Sequence, residues 1–223
     1  MNLWQFILHN HAEVIQLTLE HIWLVGTSTL LAAAVGMPLG ILLTRWPSLR
    51  PPILGGANVI QTIPSLALFG FLLPVPWLGA RAERLVILAL VLYALLPLIR
   101  NTYAGIQSVD PSVIEAGRGM GLTDRQLLFQ VELPLALGVI VAGFRVATVL
   151  SIGLATIAAA VGAGGLGEYI FRGLAMVDNT VILAGALPAA ALALLADVGF
   201  GWLEKRLSPQ LARRAGSASA TPS

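Results

Sequence analysis

Residues 101–134, NTYAGIQSVDPSVIEAGRGMGLTDRQLLFQVELP, form the one long polar interruption in a chain that is otherwise apolar. Asp110 followed by Pro111 predicts a helix start: the carboxylate can cap free amides of the first turn, and proline there gives up a donor that would have no partner. Gly121 is placed to end this helix, because glycine tolerates the left-handed conformation just past a C-terminus. A second helix is expected at once, from the capping-box spacing of Thr123 and Gln126 through Leu127, Leu128, Phe129 and Val131 until Pro134. Three- and four-residue spacing gathers Val113, Ala116, Gly117 and Met120 on one face of the first helix, with Glu115 and Arg118 off it. Such a surface is small and shaped for docking; the plainer alternative is a pair of helices lying on the bilayer.

Composition decides what surrounds this loop. Of 223 residues 57% are hydrophobic and 11% charged, with a mean hydropathy of +0.85, which is too apolar for a soluble domain and points to an integral membrane protein. The net charge of +2 comes without a dense basic stretch, so a phosphate track has nothing to bind and nucleic acid is not expected as a partner. No cysteine is present, which removes disulfides, thiolate catalysis and cysteine metal sites. The amino terminus lacks the basic region of a signal peptide, so the first apolar span should be retained.

Residues 1–21 carry no lysine or arginine, are mildly amphipathic, and are expected as an extracytoplasmic surface segment. His9, His11 and Glu13 fall on different faces of a helix, so they make a solvated face rather than a metal site. Five membrane spans are expected in residues 22–203: 22–43, 53–73, a short third at 85–99, then 135–161 and 181–203 after the loop. Gly36 and Gly40, with Pro38 between them, read as a close helix crossing or a kink. Asn58, Gln61, Thr62, Pro64 and Ser65 in the second span, with Tyr93 in the third, are candidates for lining a pathway; structural hydrogen bonding is the alternative. Arg145 lies about ten residues into the fourth span and Asp197 about eight before Lys205, which gives comparable depth at ~1.5 Å per residue and predicts an ion pair, structural or gating. Residues 204–223 are expected as a cytosolic tail, disordered from Leu207 onward.

Gly162-Ala163-Gly164-Gly165-Leu166-Gly167 spells G-x-G-x-x-G, but it follows an alanine-rich membrane helix instead of a strand, and no acidic residue stands about twenty positions on. A tight glycine turn at the membrane surface is the better account. With the N-terminus outside and the C-terminus in the cytosol, the inner segments hold Arg45, Arg50, Arg100, Arg118, Arg125, Lys205, Arg206, Arg213 and Arg214, against Arg81, Arg84 and Arg172 outside. Nine against three places the 101–134 loop in the cytosol. Trp23, Trp46, Trp77 and Trp202 all fall near expected interfaces. The chain has no G-x-x-x-x-G-K-[ST], so any ATP-binding work must be a partner's.

Glu115-Ala116-Gly117, three residues, Gly121, nine residues, Val131, one residue, then Leu133-Pro134 resembles the EAA loop of ABC-importer permeases, with Gly117 replacing an alanine and Val131 an isoleucine. Residues 21–40, Gln61-Thr62-Ile63-Pro64-Ser65, Leu96-Pro97-Leu98-Ile99-Arg100-Asn101-Thr102, the glycine turn and Asp197 further resemble the permease subunit of glycine betaine, carnitine and choline importers, over most of residues 15–207. Methionine-type permeases resemble the same plan, and a permease of such an amino-acid importer is the alternative. The resemblance implies an all-α type I permease fold in a bacterial or archaeal cytoplasmic membrane. It also implies a second permease chain, identical or homologous, two cytosolic ABC ATPases that bind ATP and Mg, and a separate extracytoplasmic substrate-binding protein. Glu115, Ala116, Gly117, Gly121, Leu133 and Pro134 would then form the ATPase-coupling segment, with no cofactor, metal or catalytic residue in this chain. Phe69, Phe71, Tyr93, Phe144 and Phe200 are too scattered along the spans to name an aromatic cage for a quaternary ammonium. Two readings from other classes compete. An intramembrane enzyme lacks a nucleophile and base set at membrane depth, and a proton-coupled transporter using Arg145 and Asp197 lacks a second internal repeat.

Overall fold

The computed structural model describes residues 2–207, and among these every regular element is helical. A capping box between Asn2 and Gln5 starts α1 (Leu3–His9), and α2 (His11–Arg45) follows after Asn10. Residues 11–21 of the expected surface segment are thus continuous in one helix with the first span. No proline stands between His11 and Met37, and the 35 residues of α2 reach ~50 Å, well beyond a hydrocarbon core of ~30 Å. The expected tail from residue 208 onward lies outside the described residues.

Among the described residues four helical stretches are long and apolar enough to cross a membrane: His11–Arg45, Ala82–Gln107, Asp124–Val161 and Asn179–Leu207. The expected second span makes a fifth only as a broken one, α3 (Arg50–Thr62) and α4 (Ser65–Leu72), with a 100° bend between Pro47–Thr62 and Ser65–Leu72. Pro64 is the cause: it disfavours helical backbone in the residue before it, and Ile63 is extended at φ −71° and ψ 125°. After the short α5 (Pro76–Gly79), the third span α6 (Ala82–Gln107) is 26 residues long rather than short. Arg100 and Asn101 do not end it, because Arg100 Nη2 donates to Asn58 Oδ1 at 2.9 Å and Asn101 Nδ2 to the Pro97 carbonyl at 2.8 Å.

The polar loop is correspondingly shorter: α7 (Pro111–Gly119) stands between α6 and α8 (Asp124–Leu127), and α8 does not stop at Pro134. It passes through a π-turn, Leu128–Glu132, into α9 (Leu133–Ile157). The Leu133 amide bonds the Leu128 carbonyl, five residues back, so the donor that Pro134 lacks falls where the hydrogen-bond register changes. A 3₁₀ turn at Ala158–Val161, α10 (Gly167–Met176) and α11 (Asn179–Leu207) complete the chain.

Helix α6 is the centre, packed on α2 and on α9, while α11 reaches the bundle mainly through α9. Leu24, Val25, Phe69, Leu85, Leu90 and Ile152 form the largest buried cluster. Gly36 and Gly40 set the α2–α6 distance: a Cβ at Gly40 would lie 2.6 Å from Thr102 Cβ and 2.9 Å from the Ile99 carbonyl oxygen. At the far end of α9, Gly162, Gly164 and Gly165 all have positive φ, and Gly165 donates its amide to Glu20 Oε2 at 3.1 Å. The glycine motif is thus a turn packed on α2, where His21, fully buried, bonds the Ile152 carbonyl at 3.1 Å.

Candidate functional site

Helix α7 is held by its ends. Asp110 accepts the Ser112 amide at 2.9 Å, Pro111 stands at the first turn, and Gly121 at φ +83° reverses the chain so that the Leu122 amide reaches the Gly117 carbonyl at 3.1 Å. Thr123 and Gln126 cap α8 reciprocally. The face expected to act together is divided. Gly117 is buried against Leu127, whose Cδ2 would lie 2.6 Å from an added Cβ, whereas Val113, Ala116 and Met120 are exposed. Glu115 is exposed as well. Helix α7 therefore seats its glycine on α8 and leaves Val113, Glu115, Ala116, Arg118 and Met120 on its outer surface. Leu133 is half-buried and Pro134 exposed, both at the root of α9.

One contact in this region escaped the sequence reading. Arg45, the last residue of α2, donates through Nη1 to Glu132 Oε1 at 3.2 Å, and its Nη2 pairs with Glu132 Oε2. Glu132 is 3% exposed. A carboxylate inside the apolar run before Leu133-Pro134 was the available signal, since carboxylates are almost never buried unpaired.

Several of the pathway candidates take part in hydrogen bonds within the chain. Gln61 Nε2 donates to the Tyr93 carbonyl at 2.9 Å and the Tyr93 hydroxyl donates to the Ile63 carbonyl, so this pair ties the broken span to α6. Asn58 receives Arg100, Thr62 Oγ1 bonds back to Val59 at 2.7 Å, Pro64 is exposed and Ser65 half-buried. The aromatics separate in the same way: Phe69 and Tyr93 belong to the largest buried cluster, Phe144 and Phe200 stack at 6.4 Å, and Phe71 is exposed. Arg145 does meet Asp197, with Nε to Oδ1 at 2.6 Å and Nη2 to Oδ2 at 2.8 Å, and Glu204 lies 3.5 Å from Nη1. At the opposite end of α2, Glu13 accepts Tyr169 at 2.8 Å and Arg172 at 2.9 Å. Burial, then the bond to Glu13, pushes the Tyr169 hydroxyl above the usual phenol range.

This arrangement, a helical bundle with a capped two-helix segment at one end, is that of a membrane permease. Residues 36–209 match the family model described as "Binding-protein-dependent transport system inner membrane component". The chain belongs to that family, and as a permease subunit it is not itself an enzyme. It is 49% identical over 201 residues, 90% of this chain and 86% of the relative, to the glycine betaine/carnitine/choline transport system permease protein OpuCD of Bacillus subtilis. It is 42% identical to the osmoprotectant import permease protein OsmW of Salmonella typhimurium, over 91% of this chain and 93% of that one. In fold it is similar to a chain of the MetNI methionine ABC transporter in an inward facing conformation, with a TM-score of 0.79 at 21% identity, covering 88% of this chain and 97% of that one.

Proposed function

We propose that this chain is the permease subunit of an ATP-driven importer for a small osmoprotectant such as glycine betaine, carnitine or choline. The observation that carries the substrate class is the 49% identity to a glycine betaine/carnitine/choline permease across nine-tenths of the chain. Two permease chains enclose the pathway, and a separate extracytoplasmic binding protein delivers the solute and selects it, in keeping with the divided aromatics. Two cytosolic ATPases hold ATP and Mg and engage the outer surface of α7. The N-terminus lies outside, as nine inner basic residues against three outer ones favour. A cytosolic motor can bias a two-state membrane protein only through contacts that differ between the states, and α7 is the surface built for that contact. The reading is tested by purifying tagged wild type and Glu115→Arg from gently solubilised native membranes and identifying co-purified proteins by mass spectrometry. An ATPase is expected with wild type and absent, or strongly depleted, with the variant. A folded wild type that brings down no ATPase refutes the reading.

A further inference from the structure

The coupling segment has a second connection to the bundle besides the backbone of α9. From the outer surface of α7 the chain of contacts runs inward through Gly117 to Leu127, which is 1% exposed, then along the π-turn to Glu132, and across to Arg45. Arg45 terminates α2, and α2 in turn reaches the other end of the molecule, where Glu20 holds the Gly165 amide and His21 holds the Ile152 carbonyl. A π-turn is the part of a helix that can exchange one hydrogen-bond register for another, so it can absorb a push from α7 locally. A two-pronged guanidinium–carboxylate contact fixes both distance and orientation, and with Glu132 buried its loss would leave a carboxylate without compensation.

We propose that Arg45 and Glu132 are positioning residues for transport: their pair is a strut that carries displacement of α7 into α2 rather than letting the π-turn absorb it. This rests on the permease reading above. The strut makes α2, and with it the glycine turn at the opposite end, follow the segment that the motor moves. Arg45 lies on α2 and Glu132 in the π-turn, neither on α7, so ATPase binding should not depend on them.

The test uses the whole transporter purified with its own ATPase and binding protein and reconstituted in proteoliposomes, with glycine betaine, carnitine and choline as solutes. Three readouts are taken: ATPase recovered with the permease, ATP hydrolysed per solute taken up, and thermal stability of the complex. Arg45→Ala and Glu132→Gln should keep ATPase recovery and hydrolysis near wild type while uptake drops, raising ATP consumed per solute by about tenfold, as expected for a coupling residue. Arg45→Lys, which keeps charge but loses the fork, should fall between. The exchange Arg45→Glu with Glu132→Arg should lower the ratio again. Uptake and hydrolysis that decline together in step with thermal stability overturn the proposal, as do an unchanged ratio and a failure of all variants to fold, since the pair is then structural alone. Wild type that recovers an ATPase but takes up none of the three solutes overturns the substrate class instead, and wild type that recovers no ATPase overturns the permease reading itself.

Discussion

Alanine substitution at three glycines of α2 should give three different outcomes, because the space around them differs while the helix is the same. At Gly26 nothing lies within 4 Å of an added Cβ. Replacing glycine by alanine there gains the helix-propensity difference of up to ~1 kcal/mol and meets no opposing contact. At Gly36 the Cβ would approach Leu98 Cβ to 3.0 Å, tight enough to require a shift of a few tenths of an ångström, so the gain and the cost should nearly cancel. At Gly40 the new atom would lie 2.6 Å from Thr102 Cβ and 2.9 Å from the Ile99 carbonyl oxygen. Neither is a flexible tip, and α6 must move away from α2 along a buried crossing. Overpacking of this kind costs ~1–3 kcal/mol, and with two contacts under 3.0 Å the upper part of that range applies, so that after the propensity gain Gly40→Ala is destabilised by up to ~2 kcal/mol. The assay is thermal denaturation of the detergent-solubilised protein followed by size-exclusion fluorescence. The expected order of midpoints is Gly26→Ala at or above wild type, Gly36→Ala near it, and Gly40→Ala clearly below. A Gly40→Ala midpoint equal to that of Gly36→Ala would refute the claim that this glycine sets the α2–α6 distance.

Two further outcomes follow from contacts elsewhere. Arg145→Glu and Asp197→Arg should each reduce the yield of folded protein, because each places like charges together at membrane depth, and the double reversal should recover yield; no recovery removes the pair as the reason both charges are tolerated. Thr123→Ala should cost the capping box ~1 kcal/mol locally, seen as faster hydrogen exchange at the Gln126 amide with little change in the global midpoint.

The parts of the loop that the sequence made legible are those governed by local chemistry. Asp110, Pro111, Gly121, Thr123 and Gln126 each act within four residues of themselves, and each stands in the role that its side chain or backbone freedom allows. The boundaries of spans are less legible because polarity in the sequence reads as an exit from the membrane. Arg100 and Asn101 look like such an exit, yet their donors are satisfied by Asn58, on a different helix, and by Pro97, one turn back. Pro64 and Pro134 show why proline alone could not be read. Before Pro64 the chain bends by 100°, while before Pro134 a π-turn carries the helix through, and what separates them is the register of the preceding turn.

The same reasoning explains why the Arg45–Glu132 contact is only weakly signalled in the sequence while the Arg145–Asp197 pairing is strongly so. Both are guanidinium–carboxylate pairs between distant helices. Arg145 and Asp197 stand in the middle of long apolar spans, where a lone charge is costly enough that each demands a partner, and counting residues from one membrane face leaves few choices. Arg45 and Glu132 stand at the ends of such spans, where sequence permits water as the partner. Only the packing of α2, the π-turn and α9 shows that Glu132 is shut away from it. A charge that solvent could have satisfied, buried instead against one fixed partner, fixes the geometry between two elements, and here those elements are the seat of α7 and the longest helix of the bundle.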